Sequence, residues 1–250
     1  MKKVLFLSYY FPPRNRIASF RSAAIAKYLP RYGWEPTILC EDWIIGSPDY
    51  DSEMLQGLED TEVHRLPTSR PRGLFRFYVR NLAPFLTPDQ TPYHWFRLAS
   101  KAANILCQNN SFDAILATYD PLATLTLAAR LSKTYKIPWV ADLRDSWQVQ
   151  YMGSPRKRQR IARHEKRLCL KANQVVAVSE RMAQELKNKL SRDVSVITNG
   201  FDPELFPEAQ QVTKDKFTIL YAGSVSIRRS PIPLFKAIES SINNGLIAGN

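Results

Sequence analysis

The chain has 250 residues, 44% hydrophobic and 23% charged, an ordinary globular composition with room for one large or two small domains. Three scattered cysteines, Cys40, Cys107 and Cys169, exclude a disulfide framework or a cysteine metal site and suit a reducing cytoplasm, and no apolar run approaches the ~20 residues that span a bilayer. The net charge of +12 is local, because residues 154–172 and 69–86 carry 11 of the 12 charges, and a local charge points to a surface.

Met1-Lys2-Lys3 has the charge of a leader peptide, but the apolar run 4–7 is too short for one and Ser8-Tyr9-Tyr10-Phe11-Pro12-Pro13 offers no cleavage site, so residues 4–7 read as a first buried strand. Residues 18–29 keep Phe20, Ala23, Ala24, Ala26 and Leu29 at near-helical spacing until Pro30 and Gly33 stop the helix, and 37–40 form the next strand. From Pro71, the spacing of Leu74, Phe75, Tyr78, Val79 and Leu82 predicts a helix with Arg72, Arg76 and Arg80 on a flanking arc, ended by Pro84. That segment is either a contact for an anionic membrane surface or a core helix with a solvated basic edge. Nucleic acid is not expected, since the chain has no helix-turn-helix, zinc spacing or aromatic ribonucleoprotein motif.

Residues 114–118 read as a strand, 122–135 as a helix opened by Asp120-Pro121 as cap and first-turn proline, and 139–141 as a strand. Ser154-Pro155 begins a long basic helix, 174–178 is a strand, Ser179 caps a helix over 180–190, and 194–198 is a last strand. Strands alternating with helices imply an α/β, Rossmann-like, doubly wound parallel sheet with ligands at the carboxyl ends of its strands. Asn199-Gly200-Phe201-Asp202-Pro203 closes this first domain at residue 203. Residues 204–215 read as a linker, and 216–250 as the strand and glycine loop that start a second Rossmann-like domain.

Two places after strands concentrate chemistry. Pro13, Arg14, Arg16 and Arg21 lie between the first strand and the first helix, where guanidiniums and helix amides either bind an anion or stand solvated on a proline-stiffened loop. Asp142-Leu143-Arg144-Asp145-Ser146-Trp147 packs two carboxylates, a guanidinium and an indole into six residues, as a site or as a structural ion pair. Glu165 falls on the apolar stripe of the basic helix, four residues after Ile161 and three before Leu168, so it faces inward. There it either pairs with an arginine such as Arg144, the preferred reading, or lines the cleft. His64, His94 and His164 show no metal spacing.

In order along the chain, several motifs resemble the retaining family-four glycosyltransferases. They are Tyr9-Tyr10-Phe11-Pro12-Pro13, Gly33-Trp34-Glu35-Pro36-Thr37, residues 142–147, Val176-Ala177-Val178-Ser179-Glu180, Ile197-Thr198-Asn199-Gly200-Phe201-Asp202 and Tyr221-Ala222-Gly223-Ser224. The resemblance is nearest the bacterial branch that builds capsule, O-antigen and related exopolysaccharides. It implies a GT-B fold, with the acceptor on the first domain, the nucleotide sugar on the second, and arginines and helix amino termini in place of a metal or other cofactor. It further implies that Arg144 and Asp145 sit beside the transferred sugar, and that Pro13, Arg14, Arg16, Arg21, Asp142 and Trp147 face the acceptor. Asn199, Gly200, Gly223, Ser224, Arg228 and Arg229 would meet the donor. The acceptor would be lipid-linked or an oligosaccharide, reached from the cytoplasmic face of a membrane that Arg72, Phe75, Arg76 and Arg80 touch.

The chain departs from the family pattern at Asn15-Arg16-Ile17-Ala18, where a glycine pair is common, at Arg144, where many members have a histidine, and at Ser224, where an arginine is common. The family's paired glutamates have no counterpart up to Asn250, so the chain is expected to be an acceptor-side portion with weak or no activity alone. The alternative expectation is a non-enzymatic basic α/β module that binds an anionic membrane surface or a protein.

Overall fold

The computed structural model describes residues 1–43, 46–67, 93–119, 121–145, 155–205, 218–223, 225 and 230–247. The chain divides into two compact units, Met1–Pro203 and Glu204–Asn250. The first is built on a seven-stranded parallel sheet: β1 Lys2–Leu7, β2 Trp34–Glu41, β3 Glu62–Leu66, β4 Ala114–Thr118, β5 Trp139–Leu143, β6 Gln174–Ala177 and β7 Ser195–Val196. The spatial order is β3-β2-β1-β4-β5-β6-β7. After β1 the chain moves outward through β2 and β3, then returns to lay β4 against the other side of β1. The strand order therefore reverses at the β1/β4 boundary, the place where a doubly wound sheet opens a crevice.

Helices α1 Ile17–Tyr28, α2 Tyr93–Asn109, α3 Leu122–Tyr135, α4 Pro155–Cys169 and α5 Glu180–Leu190 connect the strands. Because side chains alternate along a strand, β1 feeds two cores. Leu5 and Leu7 join Trp95, Leu125, Leu131, Ile161 and Leu186 on the α2–α5 side, while Phe6 joins Ala26, Ile38 and Leu58 on the α1 side. The cores on both faces explain why β1, β4 and β5 read as near-continuous apolar runs.

Most boundaries follow local signals. α1 runs into a 3-10 turn, Leu29–Tyr32, and Gly33 at φ 79° closes it in the left-handed region, which favours glycine. Ser179 caps α5 by accepting from the Met182 amide at 3.3 Å. The opening of α3 differs from expectation: Pro121 occupies the N-cap without a side-chain bond, Asp120 lies outside the described residues, and the Thr124 hydroxyl donates to the Thr118 and Pro121 carbonyls at 2.7 and 2.8 Å. β7 is shorter than the 194–198 reading, although the Ile197 amide still reaches the Ala177 carbonyl at 2.9 Å. β3 and α2 were not expected. β3 is an edge strand with no apolar run, whereas α2 does carry buried residues at helical spacing, Trp95, Phe96, Ala99, Ala103 and Leu106.

In the second unit, α6 spans Ile232–Asn243 and ends at Gly245, whose amide bonds the Ile242 carbonyl at 2.9 Å. Residues 218–223, expected to hold the strand before Gly223, carry no strand pairing, and Ile219, Leu220 and Tyr221 are exposed. The helix expected between Pro71 and Pro84, with Arg72, Phe75, Arg76 and Arg80, lies outside the described residues. Among the described residues no helix is long and apolar enough to cross a membrane.

Candidate functional site

The carboxyl ends of β1, β2, β4 and β5 converge on one edge of the sheet. Ser8 is tied in by its amide to the Leu39 carbonyl at 3.1 Å and by a 2.7 Å contact between its hydroxyl and that of Ser22 in α1. The loop that follows, which contains the cis Pro12-Pro13 bond, is fastened to the segment after β2. The Asn15 amide donates to the Asp49 carbonyl at 2.7 Å, and the Asp51 amide to the Pro13 carbonyl at 2.8 Å.

This fastening sets where the loop arginines go. Arg14 donates to Glu41 at 2.5 Å, and its guanidinium lies 3.7 Å from the Trp43 ring centroid and 4.6 Å from that of Tyr10. Glu41, at the end of β2, also accepts from the Tyr9 hydroxyl at 2.9 Å. Burial, and then the Glu41 carboxylate, push the Tyr9 phenol far above its ordinary range, so Tyr9 acts here as a fixed donor. Arg16 is more exposed and reaches Asp49 at 2.8 Å. The three arginines expected to converge on an anion are thus each engaged with carboxylates: Arg14 with Glu41 and, at 3.5 Å, with Asp49, which Arg16 also binds, and Arg21 with Asp142.

Arg21 forms the centre of the site. It projects from the second turn of α1 and holds Asp142 of β5 with two parallel bonds of 3.0 and 2.7 Å, while its remaining nitrogen donates to the Thr198 carbonyl at 3.1 Å and the Asn199 side-chain oxygen at 3.3 Å. Both members of the pair are buried, at 7% and 2% side-chain exposure, so bidentate geometry and additional acceptors are what offset the desolvation cost. On the neighbouring turn, the half-buried Arg144 donates through Nε to the Tyr119 carbonyl at 2.7 Å, and the Tyr119 amide donates to the Asp142 carbonyl at 2.9 Å. Asp145 is exposed. Arg21, Asp142, Arg144, Tyr119 and Asn199 therefore form one hydrogen-bonded constellation at the ends of β4 and β5.

A hollow of about 500 Å³ is walled by Tyr10, Arg14, Arg16, Ile17 and Phe20, on the loop after β1 and the start of α1. Ile17 and Phe20 are 80% and 47% exposed, so its wall combines apolar and guanidinium surface. Gly200 has open space at its Cβ position and no left-handed φ, and Gly223 likewise meets only ordinary contacts with Tyr221. Trp147, Ser224, Arg228 and Arg229 lie outside the described residues. Sequence reasoning missed Glu41, a carboxylate ending an apolar strand, and the clasp in which Lys27 and Tyr28 of α1 both donate to Asp202 at 2.7 Å. It also named the wrong partner for Glu165: the carboxylate is buried as expected, but Lys189 of α5 binds it at 3.1 Å, while Arg144 is engaged at Tyr119. α4 packs against α5, which places Lys189 rather than Arg144 over that position.

A family model described as Glycosyltransferase Family 4 matches residues 21–205, a span that opens on Arg21 and takes in Asp142, Arg144, Asp145, Asn199 and Gly200. The chain belongs to this glycosyltransferase family. Comparison with curated proteins gives no match. Among solved structures, it is similar to the apo form of UGT2 from Phytolacca americana, at 12% identity and a TM-score of 0.50, over 80% of this chain and 52% of that one. It is likewise similar to TcCGT1 in complex with UDP, at 11% identity and a TM-score of 0.50, over 86% of this chain and 54% of that one. At such identities the likeness shows the fold alone, a Rossmann-like α/β parallel sheet of the kind found in GT-B glycosyltransferases. The chain spans about half the length of these structures.

Proposed function

We propose that the protein acts as a retaining, nucleotide-sugar-dependent glycosyltransferase of bacterial cell-envelope polysaccharide synthesis, with its first unit supplying the acceptor side. The observation that carries this reading is the Arg21–Asp142–Asn199 constellation lying inside the family match. In this reading Arg144 and Asp145 stand beside the transferred sugar. Pro13, Arg14, Arg16, Arg21, Asp142 and Trp147 shape the acceptor side, while Asn199, Gly200, Gly223, Ser224, Arg228 and Arg229 serve the donor. Guanidiniums neutralise the departing diphosphate without a metal. The acceptor is lipid-linked or an oligosaccharide, and the basic segment with Arg72, Phe75, Arg76 and Arg80 holds the protein at the cytoplasmic leaflet.

The test is incubation of the protein with a panel of labelled nucleotide sugars, uridine diphosphate sugars first, and a bacterial lipid extract as acceptor. Any label that enters the lipid phase should do so weakly and with its anomeric configuration kept, and Arg144→Ala should remove it. Inverted products would overturn the proposal, and robust turnover would overturn the expectation of weak activity alone. Binding to anionic vesicles without any transfer would favour the non-enzymatic alternative.

A further inference from the structure

Helices α2, α3 and α4 cover the same face of the sheet. Their inner sides enter one core through Trp95 and Ala99 of α2, Leu125 and Leu131 of α3, and Ile161 and Leu168 of α4. α3 packs against both α2 and α4, so the three outer sides form one continuous layer. Across all three helices the sole carboxylate is Glu165, and it is buried and bonded to Lys189. The exposed positions instead carry Arg97 and Lys101 on α2, Arg130 and Lys133 on α3, and Arg163 and Arg167 on α4. Arg130 crosses toward α2, its guanidinium 5.0 Å from the Phe96 ring centroid.

The rest of the unit treats its basic residues differently. On the α1 face, Arg21 and Lys27 are buried against Asp142 and Asp202. α5 alternates its charges, with Arg181 on Glu185 at 3.2 Å and Lys187 on Asp193 at 2.8 Å. A layer of same-sign charges repels itself and raises the local concentration of an anionic partner. Helices packed side by side at the usual spacing of about 8–10 Å make a broad, shallow surface, which matches a plane better than a rod. Trp95 and Phe96 of α2 are buried and Tyr135 of α3 is half-buried and bonded to Asn104, so among the described residues the three helices offer no exposed aromatic ring on which a nucleic-acid base could stack. Ile105 on α2 and Leu170 just past α4 are about half exposed, at 47% and 49%, and suit a headgroup boundary.

We propose that the outer side of the α2–α3–α4 layer is the surface by which this protein docks on an anionic lipid bilayer. The inference rests on the peripheral-membrane part of the proposed function and gives it a surface among the described residues. Docking through this layer leaves the carboxyl edge of the sheet, with Asp142 and Arg144, facing sideways along the membrane rather than into it.

The whole chain is tested by co-sedimentation with phosphatidylcholine vesicles, with and without about one third phosphatidylglycerol. Binding is expected on the anionic vesicles alone and should fall steeply with salt. The variants Arg163→Glu/Lys166→Glu/Arg167→Glu and Arg97→Glu/Lys101→Glu/Lys133→Glu should each weaken it by roughly 100-fold or more while circular dichroism stays unchanged. Arg181→Glu on α5 should bind as the wild type does. Equal binding to neutral vesicles, no vesicle binding, displacement by duplex nucleic acid, or loss only with Arg72→Glu/Arg76→Glu/Arg80→Glu would each overturn the inference. Transfer to a soluble oligosaccharide acceptor, measured separately, reports on the glycosyltransferase reading whatever the vesicles show.

Discussion

Arg21 makes four hydrogen bonds from a buried position, two of them to a carboxylate contributed by a strand 121 residues away. Removing it by Arg21→Ala strands Asp142 as a buried charge, and urea unfolding should record a loss of about 3–5 kcal/mol. The double change Arg21→Met/Asp142→Leu should regain most of that loss, because the cost lies in the uncompensated charge more than in the missing pair. Glu165 shows the opposite balance. Burial raises its carboxyl above the ordinary 4.5, and the Lys189 ammonium only partly opposes this. A raised folded-state value means that the protonated form is favoured by folding, so its contribution is present below the ordinary value and is lost as pH rises through the raised one. Wild type should therefore lose stability relative to Glu165→Gln as pH rises above the ordinary 4.5, measured by urea unfolding on either side of it. That Glu165 faces inward was legible from its place between Ile161 and Leu168, whereas its partner was not, since Lys189 lies 24 residues on and reaches it only once α4 and α5 pack.

At the scale of elements, α1 works as a clasp. Arg21 takes the chain at Thr198 and Asn199, and Lys27 and Tyr28 take it again at Asp202, so the segment leaving β7 is held along the helix at two points. Asp202→Ala leaves the buried Lys27 ammonium without this acceptor and should cost roughly 1–3 kcal/mol. Hydrogen exchange should quicken for amides of residues 197–202 while those of β1 stay protected, and uniform exchange in both segments would count against the clasp. The Asn199-Gly200-Phe201-Asp202-Pro203 turn was visible in the sequence as a boundary, but its attachment to a helix some 175 residues earlier was not. Elements closed by local punctuation were the readable ones: β4, and α5 behind its Ser179 cap. β3 escaped because Glu62, Val63, His64, Arg65 and Leu66 have no apolar run, and pairing with β2 is what makes them a strand.

At the scale of the whole molecule, the three thiols sample both faces of the sheet, Cys40 on the α1 side and Cys107 and Cys169 in the larger core. Burial pushes them up to about 12, about 11 and about 12 respectively, so the reactive thiolate is scarce as well as shielded. A thiol reagent at about pH 8 should label none of them rapidly in the native protein, with labelling of Cys40 and Cys169 following global unfolding in urea. Fast labelling without unfolding would mean that a core opens locally. The alternation of strands and helices, the Ser179 cap and the basic helix over 155–169 were determined by the sequence itself, because backbone periodicity, turn residues and charge runs act within a few residues of one another. The tertiary structure decided which charges neutralise one another and which remain on a surface: Arg14 with Glu41, Arg21 with Asp142, and a helical layer without an exposed carboxylate. Those outcomes depend on strand order and on the face to which each crossover brings its helix, and both are set by packing between segments far apart in the chain.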